Sequence, residues 1–71
     1  MTNKEAVLEV LNRISTLSAP AIAERSFYLL GHKMTAAQVN GAIRPLMKEG
    51  KVGASNYGLG HNVYFLIRED N

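Results

Sequence analysis

Apolar residues in the first fifty positions of the chain recur at helical spacing, and after Gly50 the period shortens to that of a strand. Thr2-Asn3-Lys4-Glu5 has the form of a capping box, in which a threonine hydroxyl accepts from an amide of the first turn and a glutamate reaches back. Behind it, Val7, Val10, Leu11 and Ile14 fall on one face. The pattern predicts a first helix over about 3–15, with Glu9 and Arg13 four apart on its outer side. Ser18-Ala19-Pro20 reads as a second start, because proline is tolerated in a first turn. Ile22, Ala23, Leu29 and Leu30 then share a face up to Gly31, a residue suited to the left-handed stop, so the second helix is expected over 19–30.

Thr35-Ala36-Ala37-Gln38 repeats the capping-box logic, and Val39, Ile43, Leu46 and Met47 form a stripe flanked by Ala36 and Ala42, ending at Gly50. Pro45 stands inside this run, where an interior proline ordinarily costs about 3 kcal/mol. Its ring would crowd the carbonyl of Gly41, and a local bend near 41–45 is the expected accommodation. Beyond Gly50, residues 51–57 are small and tolerant of extended backbone, Gly58-Leu59-Gly60-His61-Asn62 is turn material, and Val63-Tyr64-Phe65-Leu66-Ile67 alternates. The alternation places Val63, Phe65 and Ile67 on one face and Tyr64 and Leu66 on the other. Three helices and a hairpin are thus predicted around a core of Val7, Val10, Leu11, Ile14, Ile22, Leu30, Val39, Ile43, Leu46, Phe65 and Ile67.

Length fits one domain over 1–71, ending in a polar tail at 68–71. There is no cysteine, and His32 and His61 are the only histidines, so no structural zinc site, other metal site or cofactor is expected. No apolar run approaches the roughly 20 residues of a membrane span, and Met1-Thr2-Asn3-Lys4-Glu5 leads into an amphipathic segment, not the apolar core of a secretion signal. A cytoplasmic protein without a membrane partner is the expectation. Serine, histidine and acidic residues show no catalytic arrangement, and Gly58-Leu59-Gly60 lacks the strand-loop-helix context of a phosphate loop, so the chain is not expected to be an enzyme. Tyr28, Tyr57 and Tyr64 suit packing better than a base-stacking platform. The net charge of +2 is unevenly spread. Residues 1–24 balance to −1, whereas residues 25–71, with Arg25, Lys33, Arg44, Lys48, Lys51 and Arg68, balance to +3.

The order helix, helix, helix, hairpin resembles the winged-helix family, a helix-turn-helix variant found chiefly in DNA-binding regulators. The resemblance covers nearly the whole chain. Its most specific part runs from Ala36-Ala37-Gln38-Val39 through Leu46-Met47-Lys48-Glu49-Gly50-Lys51-Val52, where the third helix ends in a leucine, charged residues and glycine before a hydrophobic strand start. The opening from Asn3 to Arg13, with Val63-Tyr64-Phe65-Leu66, is similar to the very short winged-helix regulators of bacterial fimbrial operons, which also places the chain among bacterial or phage-like proteins. One departure is the segment from Phe27 to Met34, longer and more apolar than the tight turn of the shortest helix-turn-helix motifs. The resemblance implies an α+β winged helix, a three-helix bundle with a C-terminal two-stranded β-hairpin wing. It implies a small transcriptional regulator that lays its third helix in the major groove of double-stranded DNA.

A helical wheel agrees with that implication. Opposite Val39 and Ile43 lie Ala37, Gly41, Arg44, Pro45 and Lys48, with Gln38 and Asn40 at the edges. Arg44 offers a fork to guanine or phosphate, Gln38 and Asn40 can pair with adenine, and Lys48 supplies charge to a phosphate. Lys33 and Thr35 would approach the DNA backbone at the helix start. An ordinary solvated face carries such residues too. The wing offers Asn56, Tyr57 and His61 but no arginine or lysine at its tip, and turn geometry explains its asparagines and glycines equally well. The competing reading is a winged-helix protein-interaction module or co-regulator without direct DNA binding, docking through Tyr57 and Leu59. The chain itself as a dimer, or a larger regulatory protein, are the partners expected beside DNA.

Overall fold

The computed structural model describes residues 1–56, 58 and 60–68. It contains α1 (Asn3–Arg13), β1 (Leu17–Ser18), α2 (Ala19–Leu30), α3 (Ala36–Lys48), β2 (Val52–Ser55) and β3 (Val63–Leu66). The three helices and the hairpin stand where the periodicity puts them. β1 is an addition: it pairs antiparallel with β3 (Leu17 opposite Tyr64, Ser18 opposite Val63), making a sheet of order β1-β3-β2. Two residues are too few to leave a period-two signal, so nothing in the sequence announces this strand.

Both capping boxes form. The Thr2 hydroxyl accepts from the Glu5 amide at 3.1 Å, and the Thr2 amide donates to the Glu5 carboxylate at 2.7 Å. That backbone bond is the main reason the Glu5 carboxyl sits below its usual range. At the other end α1 stops at Arg13, two residues short of the expected limit, because Ile14 turns extended (φ −131°). Thr16 then adopts φ 64°, the left-handed region, and this reversal delivers Leu17 to the sheet. A β-branched residue pays about 1–2 kcal/mol for that conformation. Thr16→Gly should therefore raise Tm by a few degrees, even after the extra entropy glycine loses on folding; an unchanged or lower Tm in a thermal melt would contradict the strain.

The core lies between the helices and the inner face of the sheet. Val7, Val10, Leu11, Ile22, Val39, Ile43 and Leu46 are buried as expected, joined by Ala6, Ala19, Met34, Ala42 and Val52. Leu30 packs against this cluster while remaining partly exposed. Five expectations need correction. Leu29, placed with Ile22 on the apolar face of α2, is 39% exposed. Ile14 is only half-buried, since it follows the last turn of α1 instead of belonging to it. Met47 is 43% exposed and lies at the edge of the α3 stripe. On β3, Val63 is buried and Tyr64 and Leu66 pack, partly buried, on the helical core, whereas Ile67, just past the strand, is exposed. Phe65 faces outward across its strand partner Gly53, where an added Cβ would lie 2.5 Å from the ring. Both faces of that strand are apolar, so alternation alone left the choice of face undetermined, and a slip of one residue exchanges them.

The long α2–α3 connection is fixed by hydrogen bonds. Gly31 ends α2 at φ 66°, and its amide donates to the Phe27 carbonyl at 3.0 Å. Ser26, fully buried, donates its hydroxyl to the His32 carbonyl at 2.7 Å and accepts the His32 amide on its own carbonyl at 3.2 Å. The His32 Nε2 and Asn3 Oδ1 lie 2.7 Å apart, tying the turn to the first turn of α1, while Met34 plugs into the core. These ties set the angle at which α3 leaves α2.

Candidate nucleic-acid interface

α3 turns Val39, Ala42, Ile43 and Leu46 inward, and this orientation decides what it shows outside. Ala37, Gly41, Arg44 and Lys48 follow one another along the exposed face, with Asn40 and Met47 on one flank and Gln38 on the other. Nothing lies within 4 Å of where a Gly41 Cβ would stand, so the backbone itself is open to solvent at the middle of the stripe. The helix runs through Pro45 to Lys48, and the Pro45 carbonyl accepts the Glu49 amide at 2.9 Å.

The expected site residues divide into two groups. Asn40, Arg44 and Lys48 are brought together on the exposed face, and Lys33 is exposed in the segment that leads into α3. Thr35 and Gln38 are engaged in the cap: the Thr35 hydroxyl accepts from the Gln38 amide at 3.1 Å, and the Thr35 amide donates to Gln38 Oε1 at 3.0 Å. That bond fixes the orientation of the Gln38 amide, leaving its Nε2 hydrogens and one lone pair for another partner. In the wing, the Asn56 side chain accepts from the Gly60 amide at 3.4 Å, a turn-forming contact, and His61 is exposed. Tyr57 and Leu59 lie outside the described residues.

Charge sorts the surface further. Arg13 pairs with Glu9 at 2.8 Å; Lys4 and Lys51 both pair with Glu49, at 2.9 and 3.4 Å. Arg68 donates to the Asn12 carbonyl and side chain. Among the described residues Arg25, Lys33, Arg44 and Lys48 have no acidic partner. Arg68, held by the neutral Asn12, is a fifth without one; the other four belong to α2, α3 and the turn between them. The hydrogen bond from Lys4, aided by Lys51, holds the Glu49 carboxyl below its usual range. A depressed folded-state value stabilises the fold above the ordinary carboxylate range, and the contribution is lost as pH falls through the depressed value. Glu49→Gln should flatten this acid-side decline in Tm; parallel profiles of parent and variant would show the pair inert.

A groove of about 380 Å³ opens beside the α3 face, lined by Ser18, Ala19 and Pro20 at the start of α2, Asn40 of α3, and His61, Asn62 and Tyr64 of the wing. Of these, only Asn40 and His61 stand out in the sequence. The others come from segments some twenty residues apart or more, and β1, which brings Ser18 to the sheet, is itself unannounced. Arg25 was likewise unmarked, since a single exposed arginine on α2 looks like ordinary solvation.

No protein-family model and no curated protein sequence matches this chain. Among solved structures, the chain superposes on the ferric uptake regulator (Fur) of Vibrio cholerae with a TM-score of 0.79 and 20% identity. The fold is a winged helix. The match covers all of this chain and 55% of the regulator, so the chain spans about half of that protein's length. The Vibrio structure was described for a rearrangement of its DNA-binding domains. At this identity the likeness is one of backbone architecture, and the winged helix here carries its own surface: the open stripe on α3, the uncapped start of α2 and a wing without a described cation at its tip. Among the described residues no helix is long and apolar enough to cross a membrane.

Proposed function

We propose that this winged helix is a small transcriptional regulator that binds double-stranded DNA by laying the exposed face of α3 in the major groove. The observation that carries the reading is the α3 stripe itself, where Ala37 and Gly41 leave the backbone open and Arg44 and Lys48 stand exposed without acidic partners. Small residues let a helix approach base edges closely, and the two cations neutralise phosphates or, for Arg44, grip a guanine edge. Asn40 reads bases from the flank of the stripe, and Gln38 does so within the orientation its cap allows. Lys33 and Thr35 approach the strand at the helix start, where amide groups favour an anion. His61 and Asn56 of the wing lie close to the backbone. The superposition on a regulator described as having DNA-binding domains supports the same reading. A lone recognition helix with few cations gains from a second copy or a larger regulatory protein on neighbouring DNA.

The test is binding of a labelled mixed-sequence duplex followed across salt concentration. Affinity should fall steeply as salt rises, with a log–log slope of about two or more phosphate contacts. Duplex left unbound at low salt, with a salt-tolerant protein complex instead, would favour the interaction-module reading.

A further inference from the structure

Large apolar side chains exposed among the described residues stand singly along the chain, except at the end of α2, where Phe27, Tyr28 and Leu29 follow one another. Isolated apolar residues on a surface need no explanation, whereas a contiguous patch does. α2 turns Ile22 and Ser26 into the core, so Ala21, Glu24, Arg25 and Tyr28 form one stripe on its opposite side. Phe27 and Leu29 flank the C-terminal end of the stripe, and the Phe27 ring meets that of Tyr28 edge to face at 5.9 Å. Glu24 and Arg25 straddle its middle, one on each side. Adjacent helical residues point about 100° apart and do not meet. Neither has an ion-pair partner among the described residues.

We infer that this stripe is the contact surface for a second copy of the chain, the two α2 helices packing side by side in parallel about a two-fold axis. The charge pattern selects both the occupant and the direction. A two-fold axis running along the helices exchanges the two sides of the seam. Glu24 of one copy then meets the partner's Arg25, and the reverse contact forms on the other side. An antiparallel pair would instead set Glu24 against the partner's Glu24 and Arg25 against the partner's Arg25, and like charges so placed repel. In the parallel pair the two Ala21 side chains let the helices close at one end. At the other end the Tyr28 rings, each backed by Phe27, bury against one another. A stripe with one acid and one base is neutral as a whole and offers little to nucleic acid or an anionic membrane. One helix face per copy falls below about 1,200 Å² in total, so the dimer is weak and reversible. The stripe shares no residue with the exposed face of α3, and the inference stands apart from duplex binding.

Sedimentation equilibrium of the full chain over a concentration series, without DNA, tests it. The parent should show a monomer–dimer equilibrium. Glu24→Arg and Arg25→Glu, each alone, bring like charges together on both sides of the seam and should raise Kd about tenfold or more. Mixed in equal amounts, the two variants recover both acid–base contacts and should form a heterodimer with Kd near the parent's. Tyr28→Ala changes no charge and should weaken the dimer as well. Circular dichroism should give each variant the helical content of the parent, since these side chains are exposed. A parent that stays monomeric throughout overturns the inference. So does a parent dimer that both charge reversals leave intact, or a mixture that yields no heterodimer. None of these outcomes bears on the α3 reading, which binding of the duplex decides separately.

Discussion

Replacing Arg44 and Lys48 together with alanine is expected to weaken duplex binding about tenfold or more and to leave Tm where it was. Both side chains are exposed and lack acidic partners among the described residues, so the folded state loses nothing measurable with them. In the complex the loss is larger, because a fork on a guanine edge is worth about 1–3 kcal/mol and each phosphate contact adds its released counterion. The salt slope should flatten by about one to two contacts. Arg13→Ala removes one positive charge, half of what the double variant removes, from a residue already paired with Glu9 on α1, and should change neither affinity nor slope appreciably. Equal losses for Arg13 and for the α3 pair would mean that net charge, not the α3 face, governs binding.

Ile43→Ala should cost about 2–5 kcal/mol in urea denaturation. The side chain is 2% exposed, at the centre of the inward face of α3, and truncation leaves a cavity the neighbouring helices cannot fill. Natural domains hold only about 0.05–0.15 kcal/mol per residue, so a loss of that size consumes much of the stability of a 71-residue chain. Met47→Ala, four positions on but 43% exposed, should cost far less. Comparable losses at the two positions would show that α3 is rotated relative to the core, and with it the face offered to DNA.

The helices were legible because each carries two independent marks, a start signal and a 3.6-residue stripe, and these agree. Thr2 and Thr35 make the bonds their spacing promised, and Gly31 and Gly50 end α2 and α3 in left-handed conformations. The strand face was not legible, because Val63 through Ile67 is apolar at every position and its orientation follows from pairing with Val52 and Leu17. Ser26 is the residue least expected from its type: a serine flanked by Arg25 and Phe27 reads as surface, yet it is wholly buried and locks the turn through His32. Its neighbours Phe27 and Tyr28 show the converse, 54% and 72% exposed and packed edge to face on each other at 5.9 Å. Within the candidate site, Arg44 and Lys48 could be placed by the wheel alone because helix geometry is local. The groove could not, because Ser18, Asn40 and Asn62 meet only through the three-stranded sheet and the helix crossing.

The most direct test of the central claim, that α3 presents its open stripe to duplex DNA, is an amide chemical-shift titration of isotope-labelled protein with a mixed-sequence duplex. The account predicts that the largest shifts fall on residues 37–48 and on the flanking amides of Lys33, Thr35 and Asn62, with α1 nearly still. Shifts absent from α3, or concentrated on α1 and the outer face of the sheet around Gly53 and Phe65, would contradict it.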